Sequence, residues 1–150
     1  MIEHTLRRTT VAFALLLGSA CAVHAQATPS APDPAFTSFG ERSGLGLLAT
    51  DFVQRLLADP RTGPFFKGSN EPELAAKLAD QFCVVLGGPC QYKGADMKTA
   101  HDAMEIRKGD FNALVEVLQQ SMDARGIAFS AQNRLLAKLA PMHRDVINVR

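Results

Sequence analysis

The stretch GGPCQYKGADMKTAH, residues 87–101, holds the most distinctive pattern of the chain. Its Gly-Gly-Pro run stops the preceding helix, because glycine favours a helix end and proline cannot continue one. Asp96 is a good N-terminal cap for a short helix that contains Met97, Ala100 and His101. The stretch therefore predicts a helix end, a loop and a short helix that carries a histidine.

On both sides of this stretch, apolar residues recur at three- and four-residue spacing, which is the pattern of one helical face. Asp59-Pro60 would end the helix over residues 44–58, and Asp110 would cap the helix that follows the short helix of His101. Pro141 is expected to kink the last helix. No strand-like alternation or hairpin turn occurs, so the sequence predicts an all-α fold of about five or six helices. We expect the longer helices over residues 44–58, 72–85, 110–125 and from Ser130 onward.

The composition is that of an ordinary globular domain. The chain has 150 residues, of which 47% are hydrophobic and 21% charged, and its formal net charge is +1. These values exclude a collagen-like or low-complexity chain and an acidic tail. They also leave no basic stripe for nucleic acid, and the length allows one domain.

The first 25 residues are expected to be a targeting segment rather than part of that domain. Arg7 and Arg8 precede an apolar run over residues 11–23, which is shorter than the roughly 20 residues that span a bilayer. Small residues then stand at the positions that a signal peptidase reads. The pattern predicts a secretory signal over residues 1–25, a flexible leader over 26–35 and one domain over 36–150.

Export places the chain outside the cytoplasm, most simply in a bacterial periplasm and with no membrane span after cleavage. An uncleaved anchor is one alternative, and a lipoprotein acylated at Cys21 is another, although Gly18 stands where an aliphatic residue is usual. Cys83 and Cys90 remain after cleavage. Two cysteines in an exported chain favour a disulfide across the Gly-Gly-Pro turn, and two separate buried thiols are the alternative.

His101 is the candidate metal ligand. No His or Cys lies three or four residues away to complete a zinc site, and Glu105 is the single carboxylate at that spacing. A haem iron needs only one proximal imidazole and a large apolar pocket. The apolar residues around His101 could supply that pocket, or they could simply form a helical core, and spacing alone does not decide. No Cys-x-x-Cys-His motif occurs, so any haem would be bound non-covalently.

Residues 36–142 resemble the group 1 truncated haemoglobins, the bacterial two-over-two globins. Gly-Gly-Pro at 87–89, Tyr-x-Gly at 92–94 and Met-Lys-x-Ala-His at 97–101 stand in the order and spacing of that family. The stretch 51–60 resembles the family's second helix, and Phe65-Phe66 resembles the corner that follows it. The resemblance implies a two-over-two helical sandwich around a haem b group.

The resemblance also implies a role for each matching residue. His101 would be the proximal ligand of a five-coordinate iron, and Lys77 could pair with a haem propionate. The residues implied to contact the cofactor are Phe66, Leu74, Lys77, Leu78, Phe82, Tyr92, Met97, Ile106, Phe111, Leu114 and Leu118. Those implied to form the distal pocket are Val53, Leu74, Leu78 and Gln81.

The sequence departs from the family at positions that matter for ligand binding. Many group 1 members have tyrosine where Val53 stands and glutamine where Leu78 stands, and these groups hydrogen-bond dioxygen. Without them, we expect a dioxygen complex that dissociates or autoxidises readily, unless Gln81 or Lys77 supplies a donor. Glu41 also replaces the second glycine of a Gly-Gly turn, which puts the geometry of that turn in question.

The resemblance implies a globin that binds a diatomic gas, namely dioxygen, nitric oxide or carbon monoxide. A haem enzyme, either a nitric-oxide dioxygenase or a peroxidase-like one, is the first alternative. Export would separate such an enzyme from a cytosolic reductase, and the sequence does not identify a redox partner. A haem-free, globin-like interaction module is the second alternative.

Overall fold

The computed structural model describes residues 33–149, and the regular structure within this range is helical. The predicted signal and leader residues 26–32 lie outside the described residues. The elements are α1 (Pro34–Ser38), α2 (Glu41–Ala58), α3 (Gly63–Phe66), α4 (Glu71–Val85), α5 (Met97–His101), α6 (Lys108–Ala124), α7 (Phe129–Leu139), a 3₁₀ turn (Ala140–Met142) and α8 (His143–Val146).

Three helix boundaries follow the sequence signals closely. Helix α2 ends at Ala58, one residue before Asp59-Pro60. Helix α4 has a proline in its first turn and ends two residues before the Gly-Gly-Pro run. Helix α5 begins after Asp96, whose Oδ1 accepts a hydrogen bond from the backbone N–H of Thr99 at 2.9 Å. These predictions are confirmed.

Other boundaries differ from the prediction. Helix α6 begins at Lys108, and Asp110 is not its cap: its Oδ2 accepts the backbone N–H of Arg107 at 2.9 Å from inside the first turn. Helix α7 begins at Phe129 rather than at Ser130. Pro34 and Ala35 belong to α1, so the helical domain begins slightly before the predicted leader ends. Helices α1, α3 and α8 have four or five residues each, too few for a periodic pattern.

The hydrophobic core is formed mainly by α2, α4, α6 and α7. Helix α2 packs most extensively against α4, and the rings of Phe52 and Phe82 lie 6.3 Å apart at that contact. Leu118 of α6 and Leu135 of α7 complete the same cluster and are almost fully buried. Each such side chain contributes about 1.5–3 kcal/mol by leaving water. The core therefore fixes α4 against α2, and the chain runs from the end of α4 through a loop to α5.

The turn into α2 accommodates the departure from Gly-Gly. Gly40 has φ 74° and Glu41 has φ 55°, so both residues adopt the left-handed conformation. A residue with a Cβ is strained there by roughly 1–2 kcal/mol. Four residues on, a Cβ at Gly44 would collide with the carbonyl oxygen of Phe39. The turn thus keeps the geometry that two glycines would permit, and the backbone strain lies at Glu41.

A disulfide closes the end of α4. It joins Cys83 and Cys90, the pair favoured by the sequence, with their Cα atoms 5.9 Å apart. Gly88 lies inside the closed loop, where a Cβ would stand 2.5 Å from the Phe36 ring and 2.6 Å from the Cys83 sulfur. The close approach requires glycine at this position. The disulfide and the turn fix where the chain leaves α4 towards α5.

Candidate functional site

His101 is the last residue of α5, and its side chain is half-buried. Its Nδ1 lies 2.7 Å from the carbonyl oxygen of Met97, one helical turn earlier. A carbonyl oxygen only accepts hydrogen bonds, so Nδ1 carries the proton and Nε2 carries the free lone pair. This is the arrangement in which an imidazole binds a metal through Nε2, with its orientation set by the bond at Nδ1.

The His101 ring borders a narrow cavity between α3, α5, α6 and α8. The cavity is small, with a volume of about 30 Å³. Most of its walls are aromatic or aliphatic, and four residues predicted to contact a cofactor are among them. The lining residues are Thr62, Phe65, Phe66, His101, Met104, Ile106, Asp110, Phe111, Leu114 and Val146.

Val53, Leu74 and Leu78 come together, as the distal-pocket prediction requires. They belong to a small cluster between α2 and α4 that also includes Ala49 and Ala75. Val53 is only 2% exposed. The cluster members are all aliphatic, so none of their side chains can donate a hydrogen bond. This cluster therefore contains no side-chain hydrogen-bond donor, and its place on the distal side of a haem stays a prediction.

Gln81, predicted to be a distal residue, faces a different group of side chains. Its amide nitrogen lies 3.3 Å from the sulfur of Met97 and 3.5 Å from the sulfur of Met142. Both are weak acceptors, and they hold the amide against α5 and the 3₁₀ turn. The distal assignment of Gln81 is therefore corrected: this side chain connects α4 to the helix of His101. Met97, predicted to contact the cofactor, lies at this junction and does not line the His101 cavity.

Lys77 and Tyr92 are engaged with protein groups near the end of the crevice between α4 and α5. The Lys77 ammonium lies 2.7 Å from a carboxylate oxygen of Glu73, and this hydrogen bond raises the pKa of the lysine. The Tyr92 hydroxyl donates to the carbonyl oxygen of Ala95 at 3.0 Å. Neither residue lines the cavity at His101. A propionate partner for Lys77 would have to compete with Glu73 for an exposed ammonium group.

Phe82 and Leu118 do not line the small cavity at His101, and their predicted contact with a cofactor stays a prediction. Both are 2% exposed and lie in the main core. Leu118 follows Leu114 by one helical turn, so the two share a face of α6 although only Leu114 reaches the cavity. Helical spacing identifies the face but cannot tell where along it the cavity ends.

Val146 of α8 lines the cavity and was missed by the sequence analysis. It is 8% exposed, although it lies among charged residues near the C-terminus. Val146, Ile147 and Val149 are apolar residues in a stretch that also holds charged ones, and they were the available signal. Phe65 and Met104 also line the cavity, although the family resemblance implies no cofactor contact for either. The C-terminal segment therefore takes part in the site of His101.

A larger groove lies elsewhere in the described part of the chain. It measures about 480 Å³, runs between α2 and α4, and is lined by Val53, Ala75 and Ala79 among others, with Thr50, Gln54 and Glu71 as its polar side chains. It does not include His101. Within residues 33–149, no group of three His, Cys, Asp or Glu side chains is arranged to hold a metal ion. Over the same range, no helix combines the length and the apolar character needed to cross a bilayer.

Comparisons with known proteins agree on one family. The model of a family described as "Bacterial-like globin" matches residues 35–148. The chain is 29% identical over 115 residues to "Group 1 truncated hemoglobin GlbN" of Mycolicibacterium paratuberculosis, covering 77% of this chain and 85% of the relative. It is 30% identical over 93 residues to "Group 1 truncated hemoglobin" of Tetrahymena thermophila, covering 62% and 77%.

The fold agrees with solved structures as well. Truncated haemoglobin from Tetrahymena pyriformis, in the Fe(III) form, superposes with a TM-score of 0.73 at 24% identity. The superposition covers 76% of this chain and 97% of that one. The 2/2 hemoglobin from Synechococcus gives a TM-score of 0.71 at 19% identity, covering 79% and 99%. The described helices thus have the two-over-two arrangement predicted from the sequence.

Proposed function

We propose that His101 is the proximal iron ligand of this chain, which belongs to the bacterial-like globin family. As a truncated globin, the chain binds haem non-covalently, and the haem binds a diatomic gas. We further propose that the aliphatic cluster of Val53, Leu74 and Leu78 forms the distal side. The 2.7 Å distance between the His101 Nδ1 and the Met97 carbonyl oxygen is the observation that carries this proposal. The His101 Nδ1–H is used by the Met97 carbonyl, which leaves Nε2 for the iron.

The residues around His101 fit a haem group chemically. Haem is a flat, largely apolar ring, and Phe66, Ile106, Phe111 and Leu114 offer aromatic and aliphatic contacts beside the imidazole. Three of these four side chains are only half-buried, so part of their apolar surface is open to contact with a ligand. When bound, haem supplies the iron at which a diatomic gas is held.

The distal cluster determines which gases are favoured. Dioxygen becomes polar on binding and gains from a nearby hydrogen-bond donor, whereas carbon monoxide gains less. The side chains of Val53, Leu74 and Leu78 offer no donor, and the amide of Gln81 is held by two methionine sulfurs. We therefore expect fast release of dioxygen. The same side chains offer no group to move a proton, which argues against a peroxidase-like role.

The experiment compares absorption spectra of the haem-loaded protein with those of two histidine variants. His101→Ala should lose the Soret position and intensity typical of histidine-ligated haem. His143→Ala is the matched control, because His143 is exposed. Unchanged spectra in His101→Ala would rule out this histidine as the iron ligand. Loss of the signal in His143→Ala would move the assignment to that residue.

We also propose that the protein is exported through the signal over residues 1–25 and works in the periplasm. The Cys83–Cys90 disulfide supports this, because disulfides persist in oxidising compartments. The mass of the mature protein and its release with the periplasmic fraction test the proposal. A chain that begins at Met1 and stays in the cytoplasm would contradict it, and a lipid-bearing Cys21 would favour the lipoprotein alternative.

A further inference from the structure

The chain after α8 returns to the segment that carries His101. The side-chain nitrogen of Asn148 donates to the carbonyl oxygen of His101 at 2.6 Å and to that of Asp102 at 3.2 Å. Its Oδ1 accepts the backbone N–H of Ile106 at 2.6 Å. The backbone N–H groups of Asn148 and Val149 both donate to the Ile106 carbonyl at 3.1 Å. One residue thus bridges the two ends of the loop 102–105.

This loop needs an external partner to keep its shape. Helix α5 has only five residues, which is too short to be stable alone, and its last carbonyl groups have no partner within the helix. Glu105 has φ 50°, a left-handed conformation that persists only where the surroundings impose it. The His101 carbonyl oxygen accepts the backbone N–H of Met104 at 3.1 Å. Asn148 adds a second donor to that oxygen, donates to the Asp102 carbonyl, and fixes the backbone of Ile106 immediately after Glu105.

We propose that Asn148 is a positioning residue for the proximal histidine. The proposal rests on the assignment of His101 as iron ligand. The Met97 carbonyl orients the imidazole ring of His101 through Nδ1. Asn148 fixes the main chain of His101 by donating to the His101 carbonyl oxygen. Asn148 also fixes Ile106, which is 7% exposed and lines the same cavity. The C-terminal tail thereby sets where Nε2 stands relative to the walls of the haem site.

The test uses two substitutions of Asn148 in the full-length protein. Asn148→Asp keeps the oxygen that accepts from Ile106 but removes the donor to the two carbonyl groups, whereas Asn148→Ala removes both. Asn112→Asp makes the same chemical change on an exposed position of α6 and is the control. The readouts are the iron–histidine stretching band of the ferrous protein, the rate of haem transfer to apomyoglobin, and hydrogen exchange of the Ile106 amide without haem.

Asn148→Asp should shift or broaden the iron–histidine band and speed haem loss about fivefold. That is the net effect of about one hydrogen bond, since water can replace part of the lost contacts at this exposed side chain. The Ile106 amide should stay protected in Asn148→Asp and lose protection in Asn148→Ala. If Asn148→Ala fails to fold, Asn148→Asp alone carries the test.

Two results would overturn the proposal, and they are distinguishable. If His101→Ala abolishes ligation while Asn148→Asp matches Asn112→Asp in band and haem loss, the positioning role is wrong and the proposed function stands. If His101→Ala leaves haem ligation intact, both fail together. Faster haem loss with an unchanged iron–histidine band would show a general effect on stability and would also contradict positioning.

Discussion

Leu78→Gln adds a hydrogen-bond donor to the aliphatic distal cluster. Leu78 is half-buried and packs against Val53 and its neighbours, so an amide of similar volume enters without overpacking. A hydrogen bond contributes about 1 kcal/mol net and more at low dielectric, which corresponds to roughly fivefold to tenfold slower dissociation of dioxygen. Dissociation of carbon monoxide should change much less. The amide should also cost about 1 kcal/mol of stability where it is not bonded.

Stopped-flow replacement of dioxygen by carbon monoxide measures this effect. Leu78→Met is the matched control, because it conserves volume without adding a donor, and it should leave the dioxygen rate unchanged. Gln81→Leu should also leave it unchanged, since the Gln81 amide is held by Met97 and Met142. A wild-type rate that is already slow, and that rises in Gln81→Leu, would refute the donor-free account. An equal change in Leu78→Met would attribute the effect to packing.

Three further predictions concern the fold. Glu41→Gly should raise the free energy of unfolding by roughly 0.5–1 kcal/mol in urea titrations. Glycine adopts the left-handed conformation without steric strain, but its greater freedom in the unfolded chain offsets part of that gain. A loss of stability would contradict the strain at Glu41. Replacing both Cys83 and Cys90 by alanine should lower the free energy of unfolding by about 2 kcal/mol, the value for a short closed loop. Equal stability of the unsubstituted protein with and without reductant would contradict a stabilising disulfide. The backbone N–H of Ala35, and then the nearby Arg134 and Lys138, lower the pKa of Asp33 below its ordinary 3.8. Its ionised form therefore stabilises the fold above that pH and ceases to do so as the pH falls through the lowered value. Asp33→Ala should reduce the melting temperature at pH 7 and reduce it less as the pH falls below 3.8, and an equal loss at every pH would contradict the linkage.

The predictable part of this fold is local in the sequence. Pro60, Pro72 and Asp96 act on groups within a few residues, so the end of α2 and the starts of α4 and α5 are close to the expected ones, whereas α2 begins at Glu41, three residues early. Asp110 was assigned the wrong position in its cap, because an acidic residue at the cap and one three residues later give the same signal. The short α1, α3 and α8 have no periodicity to detect.

The site was predictable only as far as helical faces and the family resemblance reach. His101, Ile106 and Leu114 do share a cavity, whereas Leu118 on the same face lies in the core. Gln81 is close to Leu78 in sequence, yet its amide contacts residues 16 and 61 positions away. The bond from Asn148 to His101 spans 47 positions. Such contacts depend on tertiary packing and leave no periodic trace.

The identity of the iron ligand is tested most directly by removing the His101 side chain and supplying free imidazole in its place. His101→Gly, loaded with haem and supplied with imidazole, should recover the Soret band and an iron–imidazole stretching band that shifts when the imidazole is labelled with ¹⁵N. The same variant without imidazole should show neither. A ligated spectrum in His101→Gly without imidazole, insensitive to the label, would contradict the assignment of His101 as proximal ligand.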